Sequence, residues 1–255
     1  MASAGPNSSR PATFLRHSPE AGGESVLPAD WAPGIGAAVK VRISARARRI
    51  SLRISEAERA VLLVLPPGVP LRRGLRFLAA QRGWIATRLA RLPPRVPFVE
   101  GAVVPVLGVP HRIRCALDPA APAVAVADRE IRVRGDPAHL SRLVRDHLIA
   151  AARAELTRRA RDFAARLGHK VTRLAVRDPA SRWGSCSAVG SLSFSWRLIL
   201  APEAVLDYVV AHEVAHLAEM NHGRHFWQLV ESLAPGSTAS RAWLKRHRSR
   251  LLSYG

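Results

Sequence analysis

Apolar and polar positions change their period several times along this chain, and each change predicts an element. Residues 1–38 are rich in Pro, Ala, Gly and Ser without periodic apolar spacing, which predicts a disordered leader. Beyond Val39 the pattern becomes strand-like. Ile50, Leu52 and Ile54 alternate with Ser51, Arg53 and Ser55, a turn follows over 55–59, and Ala60 to Leu65 forms an apolar run. Pro66-Pro67-Gly68 stops that strand, and Leu71, Leu75, Leu78, Ile85 and Leu89 then recur near helical spacing up to Pro93-Pro94. Residues 103–133 return to short strands, with turns at Leu107-Gly108 and around Asp128. Asp136-Pro137 supplies a cap and a first-turn proline for a long helix running to about Leu167 and closing at Gly168, its arginine-rich outer face read as solvated.

Further on, residues 171–176 and 191–200 read as strands flanking a loop, and Pro202 opens another helix. Two more helices follow over 224–234 and 238–252, with Phe226, Trp227 and Trp243 expected in the core. Strands and helices in this order predict an α+β fold with three stretches: a leader over 1–38, a β-rich region with a helix over 39–135, and a second domain over 136–255.

The helix after Pro202 carries the candidate chemistry. His212-Glu213-Val214-Ala215-His216 is an H-E-x-x-H pattern, and residues four apart share one face of a helix. Two imidazoles so placed suit Zn²⁺, with Glu213 beside a metal-bound water as general base. Val209, Val210, Val214 and Leu217 give this helix an apolar body in which such groups are costly without a purpose. Four of the ten histidines fall between positions 212 and 225, which strengthens the metal reading.

A catalytic zinc takes a third protein ligand and keeps one open position. His222, His225 and Glu231 are the downstream candidates. His222 stands six residues past His216, the spacing of H-E-x-x-H-x-x-G-x-x-H enzymes, with Glu219 at the glycine's place. An unbroken helix would rotate it roughly 120° off the first pair's face. The helix must therefore end between Glu219 and His222, and Asn221 is the residue expected to adopt the left-handed conformation that ends it. Glu231, a carboxylate from the next helix, ranks second, and His225 third.

Several runs together resemble the YgjP-like metallopeptidases: Ser181-Arg182-Trp183-Gly184-Ser185-Cys186-Ser187, Phe194-Ser195-Trp196-Arg197-Leu198-Ile199, Tyr208-Val209-Val210-Ala211-His212-Glu213, Asn221-His222-Gly223 and Phe226-Trp227. The resemblance reaches back to the basic strand near Arg46 and Ile54. It implies a minimal zincin, distantly similar to SprT-like proteins, with His212, His216 and His222 holding zinc and residues 136–255 forming the zincin-like domain. Ser195 stands where that family usually has asparagine. The implied activity is zinc-dependent hydrolysis of peptide bonds in a peptide or protein substrate. The edge of the sheet above the metal, expected at residues 192–198, would pair with the substrate backbone. His225, Arg182 and Arg197 are candidates for stabilising the oxyanion.

Charge adds a competing picture. The chain has 39 basic against 19 acidic residues, and all but three of the basic ones are arginine. Weak non-specific binding to nucleic acid at low salt is expected from that balance. An alternative reading is a nucleic-acid-associated protein of SprT-like type acting on DNA-bound proteins, although no Cys-rich zinc module or reading helix accompanies the charge. A non-catalytic zinc-binding protein is a further alternative, against which the retention of Glu213 argues. No membrane-length apolar run or signal peptide is present, and Cys115 and Cys186 read as reduced thiols of a cytoplasmic protein. Nothing in the pattern sets the oligomeric state.

Overall fold

The computed structural model describes residues 24–116, 122–179 and 181–255. Contacts divide it into two units, Met1–Pro93 and Pro94–Gly255.

In the first unit, strands β1 (Glu24–Val26), β2 (Val39–Ile43), β3 (Ser51–Ser55) and β4 (Ala60–Leu65) form one sheet in the order β1-β2-β4-β3. The apolar run of β4 lies between parallel β2 and antiparallel β3, and Val61, Leu63 and Leu65 are fully covered. Central strands lose water on both faces, hence the continuous apolar reading. Helices α1 (Leu71–Ala80) and α2 (Arg82–Ala90) add Leu71, Leu78 and Ile85 to that core. The apolar spacing through Leu89 is thus shared by two helices, broken where Gln81 leaves helical geometry at φ −100°, ψ 11°. The expected leader does not hold over residues 24–38. Glu24–Val26 pairs with β2, and Leu27 and Ile35 are buried, because this stretch supplies an edge strand and two apolar plugs to the sheet. The remainder of that expectation, residues 1–23, lies outside the described residues.

The second unit holds two sheets. Strands β5 (Val103–Val106), β6 (Val109–Ala116), β7 (Val124–Ala127) and β8 (Glu130–Arg134) pair in the order β5-β6-β8-β7. Tight turns join them: Leu107-Gly108 and Asp128-Arg129 both have positive φ, the backbone that two-residue hairpins require. Ile113, Ile131 and Val133 of this sheet enter one continuous core with Val144, Leu148 and Leu156 of the long helix α3 (Leu140–Arg166). Sequence grouping attached these strands to the region before residue 136, whereas contacts place them with the helices that follow. Asp136 caps a 3₁₀ turn over Pro137–His139 that leads into α3, its Oδ1 accepting from the Ala138 N–H at 2.8 Å, while His139 precedes the helix itself without a side-chain cap, and Gly168 follows its end at φ 73°.

Strands β9 (Arg173–Arg177), β10 (Gly184–Cys186) and β11 (Ser191–Ser195) form the third sheet, ordered β10-β11-β9. Two expectations change here. The Trp-Arg-Leu-Ile run is a 3₁₀ turn over Trp196–Leu200, its start marked by Ser195 Oγ accepting from the Arg197 N–H at 3.3 Å. Its residues are all buried, so alternation could not distinguish strand from turn. In addition, β11 is the middle strand, paired on both sides, so the edges are β9 and β10.

Helices α4 (Glu203–Ala215), α5 (Arg224–Leu233) and α6 (Ser237–Leu251) complete the unit. Buried residues lie all round α4, from Val205 to Ala215, which makes it a central helix. No described helix is long and apolar enough to cross a membrane.

Candidate metal centre

The last turns of α4 present His212 and His216 to one side, and His222 returns from the following turn to meet them. One ring nitrogen from each of the three lies within 4.8 Å of the others. The Nε2 atoms of His212 and His222 are 3.2 Å apart. Four donors around zinc at about 2.05 Å would lie roughly 3.3 Å from one another, so this separation suits ligands of one tetrahedral ion.

The turn that brings His222 back differs from expectation. Helix α4 ends at Ala215, with His216 as its cap, rather than between Glu219 and His222. Leu217, Ala218 and Glu219 N–H groups then bond to Val214 and Ala215 carbonyls, which tightens the chain beyond the helix. Asn221 is absent from the described non-glycine residues with positive φ. Instead, the Asn221 N–H donates to Glu219 Oε1 at 3.2 Å and the Gly223 N–H to the Asn221 carbonyl at 2.7 Å. Local hydrogen bonds thus perform the reversal without left-handed backbone.

His216 Nδ1 lies 3.2 Å from the Glu219 carbonyl oxygen, which can only accept, so this nitrogen carries the proton and Nε2 keeps its lone pair. Phe226 is fully buried beneath the cluster, its ring centre 4.9, 4.6 and 4.7 Å from those of His212, His216 and His222. Burial first, then the neighbouring histidines, pushes His212 down to about 4, and burial likewise lowers His216. Neutral imidazoles, the form that binds metal, are thereby favoured.

Glu213 is 7% exposed. Burial pushes its carboxyl up to about 7, opposed by the charge of Arg182 and the backbone N–H of Cys186. Strand β10 passes so near that a Cβ on Gly184 would stand 2.6 Å from both Cγ and Oε1 of Glu213. Only glycine fits that approach. A cavity of about 170 Å³ opens beside these groups, lined by Trp183, Tyr208, Val209, His212, Glu213 and Leu244, with Gly184 at its rim.

The other candidates fall elsewhere. Glu231 is engaged at the start of α6: Oε1 accepts from the Gly236 N–H at 2.7 Å, and Oε2 from the Ser237 N–H and hydroxyl at 3.2 and 2.6 Å. It is a helix-end acceptor rather than a third ligand. His225 is exposed on α5, outside the histidine cluster. Arg197 is buried and donates to Asp178 and to the Leu251 and Tyr254 carbonyls, so it anchors the C-terminus and cannot serve an oxyanion. Arg182 is exposed, with its charge felt at Glu213. Sequence reasoning overlooked Gly184 and Phe226 as parts of the centre. Both lie in runs that resemble the family, yet only the paired strand and packed helix reveal what they touch.

A histidine cluster with an adjacent buried carboxylate, on a helix flanked by a small sheet, is an arrangement suited to metal-assisted hydrolysis. The YgjP-like, metallopeptidase domain family matches residues 48–247, and the chain belongs to that family. It is therefore a metallopeptidase by family, and the family implies a metal ion and a peptide or protein substrate. Among solved structures, the chain is similar to the metallopeptidase zymogen of Pyrococcus abyssi abylysin, at 20% identity over 38% of this chain and 95% of that one, with a TM-score of 0.32. No curated protein matches.

Proposed function

We propose that the protein is a zinc-dependent endopeptidase in which His212, His216 and His222 hold the ion and Glu213 is the general base. The observation that carries this reading is the convergence of three histidine nitrogens within 4.8 Å beside a buried carboxylate. When bound, zinc supplies a Lewis acid for the scissile carbonyl and makes water acidic near neutral pH.

The chain's own residues do the rest. Glu213 takes the proton of the attacking water and delivers it to the leaving amine, a task suited to a carboxyl raised toward neutrality. Gly184 leaves room for that carboxylate, and the Cys186 N–H orients it. The proton on His216 Nδ1, facing the Glu219 carbonyl, fixes the ring so that Nε2 is available. Phe226 supports all three imidazoles from below and keeps water from that side.

The test is chelation followed by restoration. Stripping the purified protein should abolish hydrolysis of an unfolded substrate such as casein, and one equivalent of zinc should restore it. His222→Ala should lose most bound zinc while retaining its secondary structure. Full zinc retention by that variant would remove His222 from the ligand set, and hydrolysis by the stripped protein would refute the metal dependence.

A further inference from the structure

A second, larger cavity lies between α5 and the first turns of α6, with Trp227 as the wall nearest the histidine cluster. It measures about 470 Å³, and its walls include Arg224, Trp227, Glu231, Ser237 and Arg241. Trp227 belongs to both places. Its ring centre lies 5.8 Å from that of His212 and 6.0 Å from that of His222, while the Arg241 guanidinium sits over it at 5.4 Å. An extended peptide advances roughly 3.3–3.6 Å per residue, so the Trp227 wall of the cavity stands about two residues' reach from the histidine rings.

Two of its walls are guanidinium groups, those of Arg224 and Arg241. Arg132, Arg142, Arg145, Arg158, Arg159 and Arg197 all meet carboxylates. Among the described residues, no ion pair joins Arg224 or Arg241 to any acid. The carboxylate in the same wall, Glu231, has both oxygens directed to Gly236 and Ser237 at the start of α6. Two guanidinium groups thus line a tryptophan-walled cavity without an acid from the protein paired to either. A planar fork of N–H donors matches a carboxylate, and such charge-assisted bonds are the stronger kind.

We propose that this cavity is a specificity pocket for a carboxylate of the peptide substrate, placed about two residues from the scissile bond and held by Arg224 and Arg241 against Trp227. The carboxylate belongs either to an Asp or Glu side chain or to the peptide's C-terminus. This inference rests on the peptidase reading for the word substrate, but not for the binding itself.

Binding separates the two claims. Dye-labelled peptides are titrated, by fluorescence anisotropy, into the zinc-loaded full chain carrying Glu213→Gln. The peptides differ by one Glu or Gln moved along a neutral sequence, each with a free or an amidated C-terminus. One Glu position, or the free terminus, should bind about tenfold more tightly or better than its neutral counterpart. That gain should vanish in Arg224→Gln and Arg241→Gln, and persist in Arg246→Gln, the same charge change elsewhere on α6. A gain confined to the free terminus identifies a C-terminal carboxylate, and one that survives amidation identifies a side chain. Equal affinity within every pair, including no binding by either member, overturns the proposal. So does a gain that survives both pocket substitutions, or one that Arg246→Gln removes equally. Selective binding without cleavage by wild type would contradict the peptidase reading and leave the pocket. Cleavage without selectivity would do the reverse.

Discussion

Gly184 has the narrowest tolerance of any residue at the centre. Adding one carbon there places it 2.6 Å from the Glu213 carboxylate, and the carboxylate must move because strand β10 is tied to β11. A displacement of about 1 Å at a reacting group can cost roughly a hundredfold in rate. Gly184→Ala is therefore expected to lower kcat/KM about a hundredfold, with zinc content and melting temperature nearly unchanged. Undiminished turnover in that variant would show that the position of Glu213 is unimportant. Phe226→Ala should act differently, costing about 3–5 kcal/mol by emptying a fully buried ring site, as a denaturant titration would show. The pairing of His212 with His216 was legible at this scale because helical period alone puts them together. The approach of His222 was legible only as a spacing, since the reversal relies on Glu219 and Asn221 hydrogen bonds rather than on left-handed Asn221.

At the scale of elements, two buried arginines hold the site helix and the chain end in place. Arg159 of α3 is 4% exposed and meets Glu155 on its own helix and Glu203 and Asp207 on α4. Substitution by Met would leave Glu203 and Asp207 without this partner, while Glu155 keeps Arg158. The expected loss is about 1.5–3 kcal/mol, below the roughly 3–5 kcal/mol of a fully buried pair because the acids remain partly hydrated. Thermal or urea unfolding measures it. Arg197 plays the second part with Asp178. Burial alone would raise the Asp178 carboxyl, but the Arg197 hydrogen bonds and charge, with Arg145, hold it below its ordinary value of 3.8. Its folded value lies below the unfolded one, so the contribution is complete above the ordinary value and disappears as pH falls through the folded value. Wild-type stability should accordingly fall more steeply with acid below about pH 4 than that of Asp178→Asn. Parallel curves would contradict the pairing. Neither arginine's role could be read from sequence, because period places Arg159 on a helix but says nothing of which helix will cover it. Strand order was hidden for the same reason: Leu192 and Phe194 mark β11 as buried, but not as the middle strand.

For the whole molecule, the two four-stranded sheets share one design. Each pairs its strands in the order first, second, fourth, third, with antiparallel outer pairs around a parallel central one, and each is followed by a helix. Alternating positions and turn residues made the strands legible, including the hairpins at Leu107-Gly108 and Asp128-Arg129. Their grouping was not, since it depends on Ile113 and Ile131 sharing a core with Val144 and Leu148 across the sequence. That shared core puts every element of the histidine centre within Pro94–Gly255. A fragment of residues 94–255 should consequently melt cooperatively and bind one zinc, whereas a non-cooperative melt would show that the centre needs the first unit.

The central claim is that His212, His216 and His222 bind zinc while Glu213 performs proton transfer. Its most direct measurement pairs elemental analysis with casein cleavage for wild type and Glu213→Gln. Near one zinc per chain in both proteins, with cleavage by wild type alone, is the predicted result. Absence of zinc from both, or equal cleavage by both, would contradict the account.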